Sequence, residues 1–573
     1  FITFKGIKKF KKIVLRSVVI ILLLLLFLGI LLSLPAVQTK IGQYLTNSIN
    51  EDFGTDINVE QVTFNIFGGV KLKEVLIRDH HKDTLIYANR IKTNILDFNR
   101  LLDGDLLFGD VNVSSLLFNL KQYKGEKYTN LDKFIEAFDD GKPSSGKFLM
   151  TAESMHLTES RFLMEDENQQ NTKVVDFLHI NATLNDFKIK GSDVYTTIYK
   201  MNFRDFRGLQ VQNVKTQFTY TKDNILLEKL EAKTKKSFVN GNVALRYKRE
   251  DFSDFNNKVV FDAQIDSASV ASNDIRYFYN ELGKDNQYIF KTNLLGTLND
   301  FTTQNLFLED LNGTQIIGEI NFKNILSKGN NSFYMKGDFE KMTSNYDDLA
   351  SILPNILGKS LPTSLKKLGQ FNIEGKTELT LQTIKTDLIM NSALGNLQTN
   401  LIMNNLQNID NASYEGVVVL DNFNLGALIN EKDIGLVSMN VEVNGKGFTA
   451  KLIDTKIKGK VSRIQYNNYN YQGIIVDGSL KNPIFKGKVN INDPNLFMDF
   501  NGIVDVSKRE NVYKFDALVD YADLSKLNFV KNDSVSIFKG KIYSNLSGNS
   551  LDNLHGDVLV EQASYQNNRC LLY

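Results

Sequence analysis

The chain's 573 residues are too many for one hydrophobic core, so several domains or a repeat array are expected. Lys and Arg number 67 against 66 Asp and Glu, a net charge of +1, without the basic excess of a dedicated nucleic-acid binder. With 42 % apolar and 23 % charged residues, the composition is that of a folded chain rather than a disordered one.

The first element is a basic stub followed by an apolar run. Lys5, Lys8, Lys9, Lys11, Lys12 and Arg16 precede an uncharged stretch, 17–34, and no acidic residue occurs before Glu51. As a helix that stretch is roughly 27 Å long, close to the thickness of a bilayer's hydrocarbon core. Positive charge stays on the cytoplasmic side, so the N-terminus is expected in the cytoplasm and the remainder across the membrane. The text after the run, Ser33-Leu34-Pro35-Ala36-Val37, has no small-x-small cleavage pattern, which favours an uncleaved anchor over a signal peptide. Residues 38–53 then read as a short amphipathic helix on the spacing of Ile41, Tyr44, Leu45 and Ile49. Gly54 stops it, and its expected role is to cap the β domain that follows.

From Asp56 onward the pattern is strands. There are 39 Phe and 22 Tyr but no Trp and only 6 Pro, and Asn and Gly are frequent between apolar runs. Aromatic and β-branched residues favour strands, and Asn and Gly favour the turns between them. Alternating segments occur at 57–67, 70–79 and 111–120, punctuated by pairs such as Gly68-Gly69, Asp103-Gly104 and Asn312-Gly313. One helix is expected at 130–139, capped by Asn130, with Leu131, Phe134, Ile135 and Phe138 on one face. The polar, Gly- and Pro-containing segment 139–146 reads as a linker.

Beyond it a degenerate repeat emerges. Strands near Val260, Phe333, Tyr414 and Phe515 are each followed by a short helical or turn segment (272–282, 346–357, 426–430, 525–529). Strands carrying Gly296, Gly375, Gly445 and Gly548 come next. Such units cannot bury an apolar face alone, and stacking them shares one interior. At ~12–15 residues per strand and turn, roughly 35–45 strands are expected, spaced ~4.8 Å apart.

Chemistry-bearing motifs are scarce. His80, His81, His156, His179 and His555 show no metal-binding spacing; His80 and His81 adjoin in a polar turn after Asp79, neighbouring residues of a strand would point to opposite faces, and surface histidines are expected. Gly445-Lys446-Gly447-Phe448-Thr449-Ala450 matches part of a dinucleotide fingerprint, but flanking strands make it a hairpin turn. Cys570, the one cysteine, reads as a small apolar residue. No nucleophile elbow, P-loop or CxxC pair is present. The expectation is a non-enzyme with no catalytic residue, cofactor or metal.

The residues that suggest a function are apolar. In 414–423, Val417-Val418-Val419-Leu420 is apolar on both strand faces. Either two sheets pack together there, or one face forms a groove, with Val417, Val419 and Phe423 as candidate lining residues. A groove would keep acyl chains from water, at about 0.8 kcal/mol per CH₂.

Several stretches are similar to the AsmA/TamB group of bacterial envelope proteins in its Bacteroidota-like form. They are the anchor, Leu34-Pro35-Ala36-Val37-Gln38, Gly54-Thr55-Asp56-Ile57-Asn58-Val59, and Gly69-Val70-Lys71-Leu72-Lys73-Glu74-Val75. Later come Leu420-Asp421-Asn422-Phe423-Asn424-Leu425-Gly426 and Asp493-Pro494-Asn495-Leu496. The likeness spans nearly the whole chain, and its N-terminal order is the most specific part. It implies a mainly β fold: a transmembrane helix (1–34), an N-terminal α+β domain (35–140), the linker (141–147), and a periplasmic β-repeat region (148–573). That last region would form an elongated β-taco with a hydrophobic groove and a few short helices. It implies inner-membrane anchoring, bulk periplasmic placement, and phospholipid movement toward the outer membrane. A scaffold for translocation and assembly of outer-membrane or secreted proteins is the alternative, and a structural or adhesive repeat protein the second. The family's C-terminal domain, which engages an outer-membrane barrel partner, has no counterpart in these residues. The chain therefore reads as a fragment.

Overall fold

The computed structural model describes residues 4–572, except 66–67, 98–99, 101–104, 138–148, 170, 192, 326–331, 362, 406–407, 409–410, 448–451, 482–483, 507–509, 550–552 and 569–570. The fold is mainly β, with 64 % strand and 15 % helix. The described residues hold 28 strands, fewer and longer than the repeat arithmetic expects, because strands such as Leu149–Asp166 and Lys173–Lys190 run to 18 residues. Chain compactness divides the molecule into two units, Phe1–Val270 and Ala271–Tyr573. The linker segment 141–147 and Cys570 lie outside the described residues.

In the first unit, the helix Phe4–Ser33 contains the uncharged stretch, and its window Arg16–Ser33 is long and apolar enough to cross a membrane, with none of it buried. A second helix, Pro35–Phe53, starts with Pro in its first turn and stops at Gly54, which adopts φ 65°. Three of the apolar side chains expected to cap the sheet do not face it: Ile41, Tyr44 and Ile49 are 42 %, 75 % and 38 % exposed. Polar ones face it instead. Gln38 donates to the Phe64 carbonyl and accepts from the Phe64 N–H, and Asn50 does the same at Ile57. The Val62 N–H donates to Thr39. The physical reason is the unpaired backbone edge of the first strand, Asp56–Phe64, whose N–H and C=O groups need partners that Ile and Tyr cannot supply.

From that strand, neighbours in sequence pair as antiparallel ladders to the strand Val260–Ala271, with one exception. Leu106–Gln122 and Leu149–Asp166 pair in parallel, and their connection carries the expected helix, Asn130–Glu136. The cap of that helix is Thr129, not Asn130. Thr129 accepts from the Asp132 N–H while Asp132 takes the Thr129 N–H, and Asn130 is fully buried, donating to Asp79 and to the Asn119 carbonyl.

In the second unit, antiparallel ladders run from Gln287–Thr297 to His555–Asn567. Three of the segments expected after the repeat strands hold short helices, Ser272–Ile275, Tyr346–Ile352 and Leu425–Ile429, and the fourth, 525–529, is a turn; a further helix, Leu357–Ser360, follows the second. A recurring device closes the hairpins of both units. Asp79, Asp166, Asp205, Asp310 and Asp493, all at most 6 % exposed, each accept the backbone N–H two residues on.

Candidate apolar binding face

Register in the second unit lines residues up across strands. Gly416, Val443, Ile457, Gly478, Gly487, Gly502, Phe515 and Ser544 are successive direct partners across eight strands. A parallel row two residues away reads Val418, Val441, Gly459, Val476, Val489, Phe500, Ala517 and Ile542. On the other side lies Tyr414, Gly445, Thr455, Leu480, Phe485, Val504, Tyr513 and Leu546. Side chains alternate between faces along a strand, so these three rows share one face, and it carries no charge.

The intervening rows form the opposite face. One reads Val417, Glu442, Lys458, Asp477, Lys488, Asn501, Asp516 and Tyr543, with Lys458 Nζ 3.6 Å from Asp477 Oδ2. Val417, opposite Glu442, and Val419, opposite Asn440, therefore sit on the polar face rather than on the apolar one. Phe423 lies on the apolar side, because the ladder shifts register between Leu420 and Phe423. It is 2 % exposed within a core cluster that includes Val437. A valine run cannot reveal this, since its two faces look alike, whereas the strand across from it, with Glu442 opposite Val417, can.

A hollow of about 1390 Å³ opens against these strands, with the charged rows of the polar face among its walls. Its lining is the Gly416–Ser544 row itself, Ile457 and Phe515 included, together with the charged rows on either side of it, Val417 among them, whereas Val476, Phe485, Val489 and Phe500 are absent from it. Lys456, Lys458, Lys486, Lys488 and Lys514 are offset there by Glu415, Glu442, Asp477, Asp516 and Asp557, leaving no net charge to draw an ionic ligand.

The apolar face is covered unevenly. Over the strands Tyr334–Ser344, Phe371–Thr380 and Thr383–Ser392, the helical segment supplies Leu349, Leu365 and Leu368 to a cluster with Phe339, Ile373 and Leu388. It also supplies Ile356 and Leu357 to one with Phe333 and Leu379. Farther along, Val443, Ile457, Leu480, Phe485, Val504 and Phe515 are half-buried and join none of the buried clusters among the described residues. Phe485, Phe500 and Phe515 succeed one another there at centroid separations of 6.2 and 5.1 Å. They flank the glycine run, and a Cβ at Gly478 would meet the Phe485 ring at 2.9 Å.

Elsewhere, Gly447 adopts φ 76° between the strands Ile434–Lys446 and Asp454–Tyr466, a hairpin rather than a helix start, and 448–450 lie outside the described residues. His80 and His81 sit in a turn, where alternation does not hold, and their Nε2 atoms lie 2.9 and 2.7 Å from the two oxygens of Glu126. No protein-family model matches the chain, and neither a curated protein nor a solved structure is significantly similar to it.

Proposed function

We propose that the chain is an inner-membrane-anchored, periplasmic protein of the AsmA/TamB type that carries phospholipid acyl chains along the apolar face of its second unit. The carrying observation is that uncharged face with half-buried Ile457, Phe485, Val504 and Phe515 and no buried cluster over them. A soluble sheet ordinarily covers its apolar face, and one left partly open has apolar surface to share with a ligand. An acyl chain of ~16 carbons held there avoids a penalty of about 12 kcal/mol in water. The N-terminal helix supports the membrane end of this reading, and the lack of net charge in the hollow favours the apolar face as the site.

The test is a photo-crosslinking amino acid placed at Phe485, which is outside the hollow's lining, or at Val417, which is in it, in the full chain in its membrane. Phospholipid adducts, read by mass spectrometry, are expected at 485 and not at 417. Equal labelling at both positions, or protein adducts alone at 485, would overturn the reading.

A further inference from the structure

In the first unit, the turn between the strands Gly69–Arg78 and Thr84–Asn94 meets the loop that follows Leu106–Gln122. His80 Nε2 faces Glu126 Oε2, and His81 Nε2 faces Glu126 Oε1, so two imidazoles and one carboxylate from distant parts of the chain converge. Their ligand atoms all lie within 4.8 Å of one another.

The arrangement is braced from behind. Asp79, 4 % exposed, accepts the His81 and Asp83 N–H groups on one oxygen, and its other oxygen lies 2.8 Å from the Tyr123 hydroxyl and 3.0 Å from Asn130 Nδ2. The Tyr123 ring packs against His81 at 3.9 Å and meets His80 edge-on at 5.6 Å. Gln122 holds the Glu126 carbonyl at 2.8 Å. Turn, loop and ring orientations are thus fixed by contacts that leave the three side chains partly exposed.

We propose that His80, His81 and Glu126 form a binding site for one Zn²⁺ ion, with water as the fourth ligand, clipping the turn to the loop. Imidazole nitrogen and carboxylate oxygen are common zinc ligands, at ~2.0–2.2 Å. Tetrahedral ligands at that range lie roughly 3.3 Å apart, between the 2.7 and 2.9 Å imidazole–carboxylate contacts and the 4.8 Å within which the whole set falls, so small side-chain rotations would seat the ion. An ion pair without metal is the competing account of the same contacts.

Zinc titration of the full chain in detergent, followed by calorimetry, separates the two. One saturable equivalent is expected, lost or weakened at least tenfold in His80→Ala/His81→Ala and weakened likewise in Glu126→Gln. Metal-free melting of the Glu126→Gln variant shows whether it still folds. Zinc should raise the melting temperature of the parent and not of the double variant. Absence of saturable binding in the parent, or binding unchanged in the double variant and hence due to His156, His179 or His555, would overturn the proposal.

Discussion

Two stretches of the second unit's apolar face share their alternation but not their cover. Under the helical segment, Ile373, Leu379 and Leu388 are 7 %, 3 % and 8 % exposed and pack against Leu349, Leu357, Leu365 or Leu368. Beyond it, Ile457, Phe485 and Phe515 occupy the same face half-exposed. The residue types are alike, so apolar alternation does not say whether a position stabilises the fold or remains open to a ligand. What lies over it does.

The largest expected effect follows directly. Ile373→Asp places an unpaired charge in a closed cluster, and a loss of at least about 4 kcal/mol is expected in urea denaturation, enough to unfold the unit. Phe515→Asp on the open stretch can keep its carboxylate hydrated and should cost no more than about 1–2 kcal/mol. Similar losses at both positions would erase the distinction between covered and open stretches.

A middle-sized effect tests the backbone beneath the open stretch. Gly416 adopts φ 146°, and a Cβ there would lie 2.0 Å from the Asn400 carbonyl oxygen. Gly416→Val should therefore cost about 2–3 kcal/mol and disturb the pairing of Asn400 with Val417. A neutral result in the same denaturation assay would show that the row can be rebuilt without glycine.

The smallest effect sharpens the comparison through a charged contact in the first unit. Burial raises the Asp176 carboxyl, but hydrogen bonds from Arg161 and Lys173, at 2.8 and 2.9 Å, outweigh it and hold the group below its usual value. A depressed folded-state value means that Asp176 stabilises the fold above its unfolded value of about 3.9 and ceases to as pH falls through the folded one. Asp176→Asn should flatten that acid limb in pH-dependent melting. The open apolar stretch carries no carboxylate to titrate in acid and should give no such limb, so Phe515→Ala should leave the limb unchanged.

Composition and periodicity made the mainly β fold, the apolar N-terminal helix, the stop at Gly54 and the short helical segments after the repeat strands legible. These follow from local rules: an uncharged run long enough for a bilayer, glycine at positive φ, alternation of side chains. Tertiary structure alone decided the rest. Val417 lies opposite Glu442 and Val419 opposite Asn440 because a strand more than twenty residues away runs alongside. The helix Pro35–Phe53 turns Gln38 and Asn50 to the sheet because an open strand edge needs hydrogen bonds more than apolar cover. His80 and His81 reach one carboxylate because the loop after Leu106–Gln122 brings Glu126 to their turn. Each depends on which strand or loop lies alongside, and pairing between distant segments is set by the whole ladder, not by the residues that make up any one of its rungs.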